Sequence, residues 1–407
     1  MTREKPVTRV VVCGTGFGRV YLSAFRNPGP DLPLRLTGVL GRGSARSKAC
    51  AERYGVPLLT DPDDVPHLAD LACVVVPNGV GGGEGAALAQ RLMDQGVHVL
   101  HEHPIHRVEL AACLRSARAN GVQYRLNTFY PHLAPVRRFL AAARHLAGRQ
   151  ELLYAEGACA IHVAYDLVDI LGQALGGLRP WQFTGPAPGG GPFSTLEGRL
   201  NGVPVTLRVL NQLDPEDPDN HTHLLHRAAL GFSGGTLTLA STHGPVLWSP
   251  ALPAPRGDDG ELDFDSEAHR LVRLPSVQPV GPAEAPTHRE VYTEVWPEGV
   301  RRALRAMAGA AEAGEDPLRA GQYHLTLSEI WEDLTARLGY PELVRRPAPE
   351  PVTAPDQLGV AEPGREVLPD LAERQVVLAR PQRVLARLGR ARHGTQPPPY
   401  ALRPHRR

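Results

Sequence analysis

The chain has 407 residues, of which 42% are hydrophobic and 21% charged, which is typical of a soluble globular protein long enough for two domains. Its formal net charge of +1 argues against binding of nucleic acid through a broad basic surface. No apolar run approaches the roughly 18 residues of a membrane span, and no signal-peptide core follows Met1. The five cysteines include no Cys-x-x-Cys pair, as expected for a reduced, cytoplasmic setting.

Strand and helix patterns alternate through the first 130 residues. Mainly apolar runs predict strands at 9–13, 34–40, 73–76, 97–101 and 123–127. Helical spacing of apolar residues starts at Phe17, and further helices are predicted at 47–54, 84–95 and 108–120, each followed by a glycine. This alternation predicts an α/β fold that begins with a doubly wound parallel sheet, a Rossmann domain.

From about residue 151 the pattern becomes that of a mainly antiparallel sheet. Apolar and polar residues alternate in 202–210 and 235–240, and helices predicted at 166–175, 299–313 and 323–338 would cover one face of the sheet. The stretch 248–293 is rich in Pro, Asp and Glu and is expected to form a long loop.

These patterns predict a dinucleotide-binding domain at 1–130, an α+β substrate and dimerisation domain at 131–370, and a tail at 371–407. The tail holds nine arginines and one acidic residue, and we expect it to be mostly disordered.

A glycine-rich loop follows the first predicted strand and opens a helix. Its sequence is Gly14-Thr15-Gly16-Phe17-Gly18, followed by Arg19 where the usual G-x-G-x-x-G pattern has glycine. Gly14 permits a tight turn, Gly16 lets the backbone approach a pyrophosphate, and the helix start offers free N–H groups. The loop therefore predicts a dinucleotide site, with a turn that binds no nucleotide as the alternative.

The second predicted strand ends without the acid that holds the adenosine ribose in NAD enzymes. Arg42, Ser44 and Arg46 occupy this loop instead. Guanidinium groups bind a 2′-phosphate, which a carboxylate would repel, so NADPH is favoured over NADH. The alternative is that these arginines are solvated surface groups.

A run of titratable residues, Glu102-His103-Pro104, follows the fourth predicted strand at the ligand-binding edge of such a sheet. Histidine has an ordinary pKa of about 6.5, which suits a general acid at neutral pH. His103 is therefore a candidate proton donor or substrate contact, or else a structural hydrogen-bonding group beside the nicotinamide. His101 should point to the same side.

Tyr130 follows the next strand and reaches the same edge, where it is a second candidate proton donor or a packing residue. His132 is a weaker candidate. His221 and His223 would share one strand face, but no third ligand has suitable spacing, so we expect no metal site.

Several motifs together resemble the thiazolinyl imide reductases of pyochelin- and yersiniabactin-type siderophore assembly, within the wider glucose-fructose oxidoreductase and inositol dehydrogenase family. They are the glycine loop to Tyr21, Val76-Pro77-Asn78, His101 to Pro104, Phe129-Tyr130-Pro131 and Thr242 to Trp248. The wider family usually carries Glu-Lys-Pro where this chain has His103. The resemblance extends over roughly residues 8 to 340.

The resemblance implies NADPH-dependent reduction of a thiazoline C=N to a thiazolidine. The substrate would be tethered to a carrier domain of a nonribosomal peptide synthetase, and the protein would be a homodimer. It also implies that Pro77, Asn78 and Glu102 lie at the cofactor, and that His103 or Tyr130 is the general acid.

Two other functions remain open at this stage: an NAD(P)-dependent sugar or polyol dehydrogenase, and a dinucleotide-sensing regulator without turnover. Sugar dehydrogenases of the wider family carry His-x-x-Asp where this chain has Asp166-Leu-Val-Asp169. The missing histidine and the missing lysine both weaken the dehydrogenase alternative. The two aspartates are expected to form the polar side of a helix.

Overall fold

The computed structural model describes residues 7–27, 33–76, 83–187, 191–216, 223–263 and 270–345. These residues belong to a compact unit that spans residues 1–348. Pro77, Asn78, His221 and the tail at 371–407 lie outside the described residues. The domain boundary at residue 130 stays a prediction.

The first part of the chain forms a six-stranded parallel sheet with strand order β3-β2-β1-β4-β5-β6. Its strands are β1 (Thr8–Cys13), β2 (Leu34–Leu40), β3 (Leu58–Leu59), β4 (Leu71–Val74), β5 (His98–Glu102) and β6 (Tyr124–Asn127). The helices between them are α1 (Gly18–Ser23), α2 (Ala45–Tyr54), α3 (Val65–Leu68), α4 (Glu84–Asp94) and α5 (Arg107–Ala119).

The second part forms an eight-stranded sheet in which only β7 and β10 pair in parallel. It begins with α6 (Ala134–Ala147), β7 (Leu152–Ala160), α7 (Ala164–Ala174), β8 (Trp181–Ala187), β9 (Phe193–Leu200), β10 (Val203–Leu210) and β11 (Gln212–Leu213). It continues with β12 (His226–Phe232), β13 (Gly235–Leu239), β14 (Val246–Pro250), β15 (Gln278–Pro279), α8 (His288–Glu290), α9 (Trp296–Glu312), α10 (Pro317–Leu338) and β16 (Glu342–Leu343). Strands β11 and β16 pair separately.

The predicted architecture, a doubly wound parallel sheet followed by a mainly antiparallel one, is confirmed. Strand β4 begins two residues earlier than predicted, and β3, α3 and α6 were not predicted. Part of the expected loop at 248–293 returns to the second sheet, where β15 pairs with β14.

The cores explain why these elements form. Val10, Val11, Val12 and Cys13 are fully buried because helices cover both faces of the parallel sheet. Helix α7 is buried almost throughout, since it lies against β7 and also contacts α6 and α10. Helix α9 packs against α1 and α10 against α5, so helices from the second part of the chain close over the first sheet.

All five cysteines are buried and free. Among the described residues, no helix combines the length and apolar character that a membrane span requires.

Candidate active site

The glycine loop lies directly after β1, at the carboxyl edge of the parallel sheet. Gly14 has a φ of +99°, and a Cβ there would overlap the carbonyl oxygen of Val75. A Cβ on Gly16 would meet no protein atom within 4 Å, so this side of the loop is open. Helix α1 then begins at Gly18. The loop therefore fits a dinucleotide pyrophosphate, which needs a tight turn and an open backbone face.

The loop after β2 holds the three residues predicted to bind a 2′-phosphate. Arg42, Ser44 and Arg46 are all exposed, and residues 41–46 contain no carboxylate. Ser44 caps α2 by accepting a hydrogen bond from the Ser47 N–H at 3.2 Å. Arg42 pairs with Glu84, a carboxylate that a bound phosphate would have to displace.

Glu102 ends β5 and is buried in a small hydrogen-bond network. The Tyr21 hydroxyl donates to its carboxyl group, and the Asn127 amide donates to both Tyr21 and Glu102. Burial raises the pKa of Glu102 to about 8, and these two hydrogen bonds only partly oppose the rise. The side chain is therefore mainly protonated at neutral pH.

His103 and Asp166 meet across the two parts of the chain. His103 follows β5, Asp166 lies in α7, and the imidazole Nε2 is 3.1 Å from a carboxyl oxygen of Asp166 and 3.4 Å from one of Glu102. The imidazole ring stacks on Tyr165, with 5.5 Å between ring centroids. All three titratable side chains are almost completely buried.

Burial determines the protonation states of His103 and Asp166. It raises the pKa of Asp166 well above its usual range, and the nearby carboxyls of Glu102 and Asp169 add to the rise. It also lowers the pKa of His103 to about 3, with a further contribution from His162. A protonated carboxyl beside a neutral imidazole follows. The expectation that His103 titrates near neutral pH is wrong, because the sequence did not reveal how deeply the ring is buried.

Polar atoms of the pair remain unsatisfied. Both carboxyl oxygens of Asp166 and Nδ1 of His103 are buried without a hydrogen-bond partner among the described residues. The contact between the two side chains is within ion-pair distance but is not aligned as a hydrogen bond. Buried polar atoms without partners are rare in folded proteins and are often found where chemistry or ligand binding occurs.

Tyr130 follows a strained turn at the end of β6. Phe129 has φ +56° and ψ −63°, and the Tyr130 N–H donates to the Thr128 carbonyl at 2.6 Å, which defines a γ-turn. The Asn127 side chain supports the turn by accepting from the Phe129 N–H. Such backbone strain is concentrated at functional sites. Tyr130 itself is buried, with its ring 4.6 Å from that of His226.

His226 is held in one tautomer. Its Nε2 lies 3.1 Å from the Val163 carbonyl, which only accepts, so Nε2 must carry the hydrogen. Its Nδ1 therefore accepts from the Thr242 hydroxyl. Burial lowers the pKa of His226 to about 3, and His162, His103 and His243 are close enough to oppose charge as well. His226 is thus a neutral ring that packs against the Tyr130 ring.

An aromatic cluster connects the glycine loop to α9. Phe17, Phe129 and Trp296 form this cluster, with centroid distances of 5.6 to 6.3 Å. The Trp296 indole donates to Nε2 of His243 at 3.0 Å, so a neutral His243 carries its hydrogen on Nδ1. Burial lowers the pKa of His243 to about 4.

The structure brings together His103, Glu102 and Asp166, and it brings Tyr130 close to His226. His101 instead lies fully buried against the Tyr124 hydroxyl. His223 precedes β12, and the described residues contain no cluster of three or more possible metal ligands.

Asp166 is the residue that the sequence reasoning missed. The expectation that Asp166 and Asp169 form the polar side of a helix is wrong, because both side chains are completely buried. The available signal was two aspartates within an otherwise mainly apolar helix, since a buried carboxyl needs a specific reason to be there.

Two family models match the chain. Residues 8–128 match the oxidoreductase family with an NAD-binding Rossmann fold, GFO/IDH/MocA. Residues 150–249 match the C-terminal domain of Irp3-like thiazolinyl imine reductases. The chain therefore combines a Rossmann domain of the GFO/IDH/MocA oxidoreductase family with a C-terminal domain of the Irp3-like thiazolinyl imine reductases. No curated protein gives a significant match.

Solved structures share the fold at low sequence identity. An oxidoreductase from Agrobacterium radiobacter in complex with NAD+ is 12% identical, with a TM-score of 0.58 over 80% of this chain and 94% of that one. A biliverdin reductase from Synechocystis in complex with NADP+ is 14% identical, with a TM-score of 0.55 over 81% and 99%. A UDP-N-acetylglucosamine 3-dehydrogenase from Acidithiobacillus ferrooxidans is 15% identical, with a TM-score of 0.57 over 81% and 98%.

The two glycines of the loop give the first prediction. Gly14→Ala should destabilise the fold by about 3 kcal/mol or more, since the methyl group meets the Val75 backbone at a positive φ. Gly16→Ala should leave the unfolding midpoint within a few degrees of the wild type and weaken NADPH binding about tenfold or more. Denaturant unfolding and fluorescence titration measure the two effects. Full NADPH affinity in Gly16→Ala would place the pyrophosphate elsewhere.

The pKa of Glu102 gives the second prediction. The folded protein keeps this carboxyl protonated up to about pH 8, whereas the unfolded chain releases the proton near the ordinary pKa of 4.5. Folding takes up a proton between these values, so this group lowers the free energy of unfolding as the pH rises.

Glu102→Gln should remove that fall in stability. The free energy of unfolding of the variant, measured relative to the wild type, should increase by up to about 1.4 kcal/mol per pH unit as the pH rises from about 5 to about 8. Urea unfolding across this range tests the prediction, with the exposed Glu84→Gln as the control. Parallel curves for Glu102→Gln and the wild type would show that Glu102 ionises normally in the folded protein.

Proposed function

We propose that this protein is an NADPH-dependent imine reductase that converts a thiazoline C=N to a thiazolidine on a carrier-bound nonribosomal peptide intermediate. The Irp3-like second domain supports the reaction class. The observation that carries the proposal is the buried His103–Asp166 pair, in which Nδ1 of His103 has no hydrogen-bond partner among the described residues.

The residues around the glycine loop fit the cofactor. Bound NADPH would supply the hydride that reaches the imine carbon. Gly14 and Gly16 would admit its pyrophosphate, and Arg42 and Arg46 would bind its 2′-phosphate. The NADPH preference rests on these arginines and on the absence of a carboxylate in residues 41–46.

His103 can deliver a proton without becoming an imidazolium ion. Its Nε2 faces the carboxyls of Asp166 and Glu102, so the ring hydrogen of the neutral imidazole belongs on Nδ1. On substrate binding, the 3.1 Å contact between Asp166 and Nε2 has to align as a hydrogen bond, and the buried Nδ1 has to become accessible. Nδ1 then donates its proton to the substrate nitrogen while Nε2 accepts one from the Asp166 carboxyl. The imidazole stays neutral, and Asp166 ends as the carboxylate. This relay avoids an imidazolium ion, and the charge that it leaves is the carboxylate of Asp166.

Tyr130 is the other candidate donor. The γ-turn at Phe129 and the neutral ring of His226 fix its position. His226 cannot replace a proton that Tyr130 loses, because its Nδ1 and Nε2 are both engaged. We therefore favour His103 as the donor and Tyr130 as a residue that orients the substrate.

The proposal extends to the setting of the reaction. The substrate would be a thioester on the phosphopantetheine arm of a carrier domain in siderophore biosynthesis. The enzyme would act in the cytoplasm as a homodimer.

Two substitutions separate the candidate donors. His103→Ala should lower kcat about a hundred- to ten-thousandfold, which is the range expected for loss of a general acid. Tyr130→Phe should lower kcat less, because the ring contact with His226 remains. NADPH consumption with a synthetic hydroxyphenyl-thiazoline thioester measures both, and a polyol panel with NADP+ serves as the control. Unchanged turnover in both variants would remove this site from the mechanism.

Asp166→Asn provides a further test of the relay. The amide preserves the shape of the side chain but cannot deliver a proton to Nε2, so kcat should approach that of His103→Ala while NADPH affinity is retained. A variant with the turnover and pH profile of the wild type would show that the donor works without Asp166.

Cofactor preference gives another prediction. Arg46→Ala should weaken NADPH binding about tenfold and leave NADH binding unchanged, because only NADPH carries the 2′-phosphate. Arg53→Ala, an exposed arginine at the far end of the same helix, is the matched control. An equal loss for both cofactors would show that Arg46 does not read the 2′-phosphate.

A further inference from the structure

A cavity of about 830 Å³ lies beside β6, between helices α6, α7, α9 and α10. His103, Glu102, Asp166, Tyr130 and the glycine loop do not line it. Its wall includes Asn127 at the end of β6 and Thr128 directly after it, so the cavity adjoins the site described above without being part of it.

The wall of this cavity carries an excess of positive charge. Among the described residues, five arginines line it, namely Arg125, Arg137, Arg144, Arg302 and Arg305, and Asp169 is the only acidic one. Arg125 pairs with Glu315 at 2.7 Å and Arg305 with Glu298 at 3.0 Å. The other three have no carboxylate within ion-pair distance in the part of the chain that the structure describes.

Asp169 is a single acidic residue and cannot balance the three arginines that lack an ion pair among the described residues. It accepts hydrogen bonds from Thr128, Gln173 and Tyr323. Burial lowers the pKa of Arg137, the nearby guanidinium group of Arg302 lowers it further, and Glu298 opposes the change.

The two histidines in the wall are neutral, and one of them has a ring nitrogen that could bind a ligand. Burial lowers the pKa of His132 to about 4, and it also lowers the pKa of His324. Nδ1 of His324 is buried without a hydrogen-bond partner among the described residues. Small side chains from three helices keep the space open, namely Ala141, Ala303, Ala306 and Ala320.

We propose that this cavity binds a small phosphorylated organic molecule, held by Arg137, Arg144 and Arg302. Guanidinium groups bind phosphate oxygens in a bidentate manner, and a phosphate would relieve their mutual repulsion. Nδ1 of His324 is an additional polar partner. The volume lies in the range of small-molecule sites, about 300 to 1,000 Å³. This proposal does not depend on the imine reductase function.

Inorganic pyrophosphate is the probe for this site. The full-length protein is first saturated with NADPH, which occupies the dinucleotide loop, and pyrophosphate is then titrated by calorimetry. We expect saturable binding at one site per chain. Arg302→Gln and Arg137→Gln should each weaken it about tenfold or more, with NADPH affinity and unfolding midpoint unchanged. Arg115 is an exposed arginine on α5, so the Arg115→Gln variant should bind pyrophosphate as the wild type does.

Three results would overturn the proposal: no binding to the wild type, equal loss in Arg115→Gln, or binding of citrate more tightly than pyrophosphate. The last would assign the cavity to a carboxylate ligand. If Arg302→Gln fails to fold, Arg144→Gln replaces it, since this side chain is exposed on α6 and its loss should not affect packing.

Discussion

The contact between His103 and Asp166 is the constraint on which the site depends. It joins a residue at the edge of the parallel sheet to one in α7, so it exists only when both parts of the chain are packed together. Because water is excluded, the neutral forms of both side chains are favoured over the charged pair. A protonated carboxyl next to a neutral imidazole holds a proton without placing a net charge in the dry site. The Glu102 carboxyl, held by Tyr21 and Asn127, lies 3.4 Å from the same ring nitrogen, and Nδ1 has no hydrogen-bond partner among the described residues.

Two surrounding histidines hold the geometry of the site, and burial lowers the pKa of His226 to about 3 and that of His243 to about 4. Thr242 and Val163 fix the tautomer of His226, and Trp296 fixes that of His243. The segment from Thr242 to Trp248, which contributed to the resemblance, thus has a physical role, because Thr242 orients the His226 ring and His243 accepts a hydrogen bond from Trp296. The strained γ-turn at Phe129 aims Tyr130 at the same region and places the Phe129 ring against Phe17 of the cofactor loop.

Much of the fold and part of the site could be predicted from local patterns. Buried β-branched runs located the parallel strands to within about two residues, and Gly55 ended α2 in the left-handed conformation that its position required. Alternation indicated the second sheet. Short elements such as β3 and α3 were missed because two to four residues carry too little periodicity to be recognised.

The sequence by itself determined which chemical groups lie at the carboxyl edge of the sheet. Parallel strands end at this same edge, so residues that follow them, such as Gly14, His103 and Tyr130, lie there independently of their side-chain contacts. Only the tertiary structure decided how these groups behave. Protonation depends on burial and on neighbours distant in sequence, and Asp166 approaches His103 from 63 residues further along the chain. For the same reason, the arginines of α6 and α9 became a single basic cavity only when their helices packed side by side.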